Sequence, residues 1–259
     1  MNPHEPHTKR FNKLIEAVGR DEGRTTYEVF RDFLDAGYRA IRGAFLFGDD
    51  WQQNEAEYMK LVERCRKPNE TMDRLSEMLA VTVEALEASC EDFLGPLLME
   101  IGSSKGHGQF FTPHALSKAN AMMLMPDIDR LIESSPRGYF TAHEPAAGMG
   151  GMVLAVAQMM REKGFEPARH CHWQMIDVEF KAMAGCYIQT SLAGVSGIVI
   201  HGNTLSLECW SSAPTPMAVL HPKTFNAPRA QPDEPPAEVP VPQIPIQEPA
   251  RQMAFDFSI

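Results

Sequence analysis

No stretch of this chain is apolar for long enough to cross a bilayer as a helix, which needs about 20 consecutive apolar residues. The start, Met1-Asn2-Pro3-His4-Glu5-Pro6-His7, carries no apolar run of the kind a secretory leader needs. The expectation is a cytoplasmic protein with no membrane contact. Cysteine is scarce: Cys65, Cys90, Cys171, Cys186 and Cys209 are scattered, with no Cys-x-x-Cys pair. An odd, dispersed set excludes a disulfide framework and a cysteine zinc site and leaves packed thiols. Basic charge is also short, 24 Lys and Arg against 34 Asp and Glu for a net charge of −10. That excludes a protein that coats DNA through phosphate contacts alone, though not a basic cleft or a partner subunit that supplies DNA binding. No internal repeat is visible.

What is present divides into three regions. The chain has 259 residues, 44% of them hydrophobic, enough for one or two domains with a core. Residues 1–105 read as a helical domain. Phe11, Leu14, Ile15 and Val18 follow helical spacing. So do Tyr27, Phe30, Phe33, Leu34 and Tyr38, then Tyr58, Leu61, Val62 and Cys65, then Leu75, Met78, Leu79 and Leu86. The region holds 14 basic and 20 acidic side chains, as solvated helix faces do. In residues 106–225 short apolar runs alternate with helical ones. Strands are predicted at 139–143, 172–176, 197–200 and 217–220, and helices at 148–161 and 179–192. That order implies parallel βαβ units in a doubly wound, Rossmann-like α/β sheet. Residues 226–259 contain eight prolines, and such a stretch is expected to be a disordered tail.

The chemistry concentrates at Glu144-Pro145-Ala146-Ala147-Gly148-Met149-Gly150-Gly151-Met152. An acid ends a strand, and a loop with three glycines then opens a helix. Glycines let the backbone approach a ligand, and the helix start offers free N–H groups to a phosphate or carboxylate. Asp177 ends the next strand, where an acid accepts hydrogen bonds from ribose hydroxyls. Upstream lies Gly108-Gln109-Phe110-Phe111-Thr112-Pro113. Its aromatics could stack on a purine and its threonine could cap the following helix or bind a ligand. Taken singly, the two phenylalanines serve as core more often than as ligand contacts.

Together these two motifs, in this order, resemble the N6-adenine DNA methylase family that includes the modification subunits of type I restriction systems. There the glycine motif usually begins with Asp, where Glu144 stands here. Phe93-Leu94-Gly95-Pro96-Leu97 also resembles the helix that leads into the family's domain. The resemblance spans residues 93 to about 205. It implies a truncated Rossmann-like domain that binds S-adenosylmethionine: Phe111, Thr112 and Pro113 would border the cofactor, Gly148 and Gly150 would hold its methionine portion with Glu144 nearby, and Asp177 would take the ribose. Gly202-Asn203-Thr204-Leu205 resembles the Gly-Asp-x-Leu segment near the adenine, with Asn203 in place of the acid. The implied partner is DNA, reached alone or through another subunit, in a restriction-modification or mobile-element setting.

In the family an Asn/Asp-Pro-Pro-aromatic motif follows the fourth strand. It accepts the N6 hydrogens of a flipped adenine and stacks on the base. This chain offers His221-Pro222-Lys223-Thr224-Phe225 there. Pro222 and Phe225 echo the motif, and a neutral His221 can accept one hydrogen bond. The usual first residue and the second proline are missing. Two readings therefore stand: an adenine-N6 methyltransferase-like protein, or a catalytically weak or inactive relative acting as a binding or regulatory module on DNA-processing machinery, with impaired or absent catalysis favoured. A dehydrogenase-type dinucleotide fold is disfavoured, because the glycine spacing departs from Gly-x-Gly-x-x-Gly. The sheet also ends early, which suggests a homo- or hetero-oligomeric contact over its last strand. At the C-terminus, Gln252-Met253-Ala254-Phe255-Asp256-Phe257 resembles the peptide by which bacterial proteins bind the replication sliding clamp. His170-Cys171-His172 has metal-like residue types that would share a strand face, but no third ligand is apparent and no metal site is expected.

Overall fold

The computed structural model describes residues 3–103, 114–124 and 127–223. Phe111, Thr112, Pro113 and Phe225, and the terminal Gln252, Met253, Phe255 and Phe257, lie outside the described residues. Five helices come first: α1 (Glu5–Glu22), α2 (Thr26–Gly43), α3 (Gly48–Glu63), α4 (Pro68–Ala88) and α5 (Leu94–Ser103). Each boundary has a local cause. Helix α1 stops where Gly23 turns left-handed at φ 68°. Helix α2 opens on a capping box: Glu28 N–H donates to the Thr25 hydroxyl oxygen (3.3 Å) and Thr25 N–H to the Glu28 carboxylate (2.8 Å). Helix α4 begins with a proline in its first turn and is capped from α1. The Glu22 carboxylate accepts the Arg66 and Lys67 amides (2.7 and 3.1 Å) and the Thr71 hydroxyl (2.6 Å).

The helices bury the faces their spacing predicts. Phe11 meets Phe30, Phe33 and Phe93 edge-on, with ring centres 5.2–5.9 Å apart, the geometry aromatic rings prefer. Cys65 lies past the end of α3, so that face shortens to Leu61, the buried member. The same core runs on without a break into the second half of the chain. There α2 packs on α10 (Phe180–Leu192), with Tyr38 edge-on to Tyr187 and Phe180 at 5.1 and 5.7 Å.

The second half contains α6 (His114–Leu124), α7 (Ile128–Glu133), β1 (Phe140–Glu144), α8 (Gly151–Glu162), α9 (Pro167–His170), β2 (Cys171–Asp177), α10, β3 (Gly197–Asn203), β4 (Glu208–Pro214) and α11 (Pro216–Leu220). The sheet order is β1-β2-β3-β4. The first three strands are parallel, and β4 returns antiparallel beside β3 with a bulge at His201/Gly202. The chain is thus α/β with a mixed four-stranded sheet. Three of the four predicted strands form.

The 217–220 strand does not. Those residues make α11, which starts at Pro216 after an extended Thr215. A four-residue apolar run has no period long enough to choose strand over helix. The fourth strand is instead β4, mostly exposed, which forms as the second arm of a hairpin rather than around a buried stripe. The doubly wound expectation also changes. The crossover helices α8 and α10 touch each other, so both cover one face of the sheet. Strand β1 pairs on one side only among the described residues. None of the described helices is long and apolar enough to cross a membrane.

Candidate functional site

The three parallel strands end side by side, and their last residues are Glu144, Asp177 and Asn203. The loop leaving β1 first extends the ladder, with Ala147 N–H donating to Ile176 O at 2.8 Å, and then turns, with Gly150 N–H donating to Ala147 O at 2.8 Å. Gly148 and Gly150 both adopt positive φ (54° and 92°), which side chains resist and glycine tolerates. Two cross-links hold the loop to its neighbours. Gly148 N–H donates to Asp177 Oδ2 at 2.8 Å, and the Thr204 hydroxyl donates to Pro145 O at 2.6 Å. The structure thereby brings Glu144, Gly148, Gly150, Asp177 and Asn203 to one edge of the sheet.

The acids there are half-buried. Burial pushes the Asp177 carboxyl above the usual carboxylate range, against the opposing pull of the Glu179 and Gly148 amides. Burial likewise raises Glu144, opposed by the Ala146 amide, which reaches its Oε1 at 3.3 Å. Asn203 spends its side-chain oxygen on the following turn, accepting Leu205 N–H at 3.0 Å and Ser206 N–H at 3.4 Å. Its amide nitrogen can act only as a donor.

A third carboxylate, which the residue pattern did not flag, approaches from the helical region. Asp92 is 6% exposed, and a methyl group placed on Gly151 would meet its Oδ2 at 3.3 Å. The first residue of α8 therefore already has an anion beside it. A phosphate at that helix start would face like charge from Asp92 and Glu144. A cationic group would be attracted, so the anionic ligand expected at this helix start is the less favourable one. Val178 was also missed. It follows Asp177 directly and is 59% exposed, an apolar surface next to the acid, and its signal was adjacency alone.

The structure does not bring His221 and Pro222 to this edge. The Lys223 ammonium donates to the carbonyls of Ala168 and Cys171 and lies 5.5 Å from the centre of the Tyr139 ring. Cys171 opens β2 and Asp177 closes it, so seven residues of strand, about 20 Å, separate the two places. The antiparallel β4 is the reason. It carries the chain back to the N-terminal ends of the strands before α11 begins.

His170 and His172 fall in different elements. His170, at the end of α9, bonds the Glu166 backbone, while His172 is buried in β2 against the Ser196 hydroxyl at 2.9 Å. Burial pushes His172 down to about 4, which keeps it neutral.

No family model and no curated protein matches this chain. Among solved structures it resembles a Listeria monocytogenes protein provisionally assigned as a class I S-adenosylmethionine-dependent methyltransferase. The TM-score is 0.41 and the identity 12%, over 74% of this chain and 52% of that one. The chain thus spans about half the length of that protein. A likeness so distant carries no assignment.

Proposed function

We propose that this chain binds S-adenosylmethionine across the ends of β1, β2 and β3, as a relative of the N6-adenine DNA methylases that binds rather than transfers. The observation that carries it is the Gly148–Asp177 hydrogen bond, which joins a left-handed glycine loop to an acid-tipped strand. The chemistry of the donor set fits the cofactor. Asp177 keeps lone pairs for two ribose hydroxyls after taking its two amides. S-adenosylmethionine carries one more positive than negative charge, suited to an edge lined by Glu144, Asp177 and the nearby Asp92. A dinucleotide pyrophosphate would meet those same acids as an anion. Val178 offers the apolar surface an adenine ring needs.

When bound, the cofactor supplies a sulfonium methyl group. Moving that group to adenine N6 requires acceptors that strip charge from the amine, held at the same edge. His221 and Pro222 stand at the other end of the sheet, which favours the binding role over catalysis. Within this reading DNA is the machinery served, directly or through a partner subunit, and Gln252, Met253, Phe255 and Phe257 attach the chain to a sliding clamp.

Titration calorimetry with S-adenosylmethionine and with NAD tests the proposal. Binding of the first and not the second is expected, with Asp177→Ala weakening it at least about tenfold, as loss of charge-assisted bonds of about 1.5–3 kcal/mol implies. Binding of NAD alone would overturn it. Methyl incorporation into DNA by the isolated chain, whether or not His221→Ala abolishes it, would overturn the non-catalytic part.

A further inference from the structure

Gln189 sits in the last turn of α10 and is fully buried. A long polar side chain there must find partners or cost stability, and it finds four. Its Oε1 accepts Phe93 N–H at 2.8 Å and Leu94 N–H at 3.1 Å, the amides just before and at the start of α5. Its Nε2 donates to Asp92 Oδ1 at 2.9 Å and to Met149 O at 2.7 Å. Two donors and two acceptor positions are all a primary amide offers. The partners also set its orientation, since carbonyl and carboxylate oxygens can only accept from Nε2. Asp92 Oδ1 accepts the Gly95 amide as well, at 2.8 Å. The start of α5 and the glycine loop therefore share one side chain.

The residue it grips in the loop is the one that matters for shape. Met149 stands between Gly148 and Gly150, whose positive φ angles make the turn. Its side chain lies over Gly185, where a methyl group would meet the sulfur at 1.9 Å. The loop is thus pinned at its middle residue, by the carbonyl to Gln189 and by the side chain to a slot that only glycine leaves open. The two flanking glycines each donate one backbone N–H, Gly148 to Asp177 and Gly150 to Ala147 O, and without the Met149 pin their backbones could sample other turns. We infer that Gln189 is a positioning residue for the cofactor loop: it holds Met149 so that the Gly148–Gly151 turn presents one fixed surface, and it couples that surface to α5 through Phe93, Leu94 and Asp92. This rests on the cofactor reading above for its functional consequence, but not for its geometry.

The test uses the full chain with Gln189→Met, which removes all four bonds at similar volume, and Gln189→Glu, which keeps an acceptor for the α5 amides and loses the donor to Met149. Leu75→Ala, in the buried face of α4, serves as a destabilised control. Hydrogen–deuterium exchange without ligand is expected to speed up at least tenfold across residues 146–152 in either Gln189 variant, beyond any change in α1–α4, and not in the control. S-adenosylmethionine affinity is expected to fall at least tenfold in the same variants and less than threefold in the control. Should one variant fail to fold, the other carries the comparison. Uniform exchange over the whole chain, or an equal loss of affinity in the control, would overturn the inference. Selective exchange in a chain whose wild type binds no S-adenosylmethionine would support the pin and remove the cofactor reading alone.

Discussion

Asp177 holds two backbone amides in the free protein while burial pushes its carboxyl above the usual range, and Glu144 is raised in the same way. The sign of the pH effect follows. A carboxyl raised in the folded state stabilises the fold when protonated, and that contribution is lost as pH rises through the raised value. A cationic ligand prefers the ionised carboxylates. Its affinity should therefore increase with pH through the same window, just above the ordinary carboxylate range, with protons released on binding. Calorimetry in buffers of different ionisation enthalpy measures that release. An affinity that is flat there, or that falls, would count against both acids as ligand contacts. Gly185 makes a steric prediction at the same scale. Gly185→Ala should displace Met149 from its slot and weaken cofactor binding more than it lowers Tm relative to other Gly→Ala changes within helices, as calorimetry and thermal melts would show.

At the scale of elements, the capping box at the start of α2 joins Thr25 to Glu28 within that helix's own first turn. Thr25→Ala should cost about 1 kcal/mol of stability, read as a shift in denaturation midpoint, and leave ligand affinity unchanged. Loss of affinity would mean that the helical region shapes the site more broadly than through Asp92 and its bond to Gln189. Helix α11 gives the complementary case. His221→Ala should change neither affinity nor stability appreciably, because the residue is exposed and stands at the far end of β2 from Asp177. The strand expected at 217–220 and the motif expected after it both depend on where the chain is when it reaches residue 215, and the β3–β4 hairpin decides that. No buried apolar stripe in residues 204–214 announces the hairpin, since its second arm is mostly exposed.

At the scale of the whole molecule, the net charge of −10 makes phosphate contacts a weak source of affinity, so attachment to DNA should come through partners. A peptide covering residues 248–259 is expected to bind a bacterial sliding clamp in fluorescence anisotropy, with Phe255→Ala and Phe257→Ala abolishing it. No binding by the intact peptide would remove that attachment. Strand β1, paired on one side only among the described residues, presents backbone groups that a partner strand could satisfy.

The amphipathic periods of α1, α2 and α4, the three parallel strands, and the glycine loop between an acid-tipped β1 and β2 were all determined by local sequence. Period and turn chemistry act within a few residues, and the apolar spacing leaves each element one face to bury. Only the tertiary structure decided which end of the sheet each functional side chain reaches. It set Asp92 beside the start of α8, made one helical glutamine the common anchor of α5 and the loop, and turned residues 221–223 away from the site. Those outcomes depend on strand direction and on contacts across nearly a hundred residues of sequence, which no local pattern encodes.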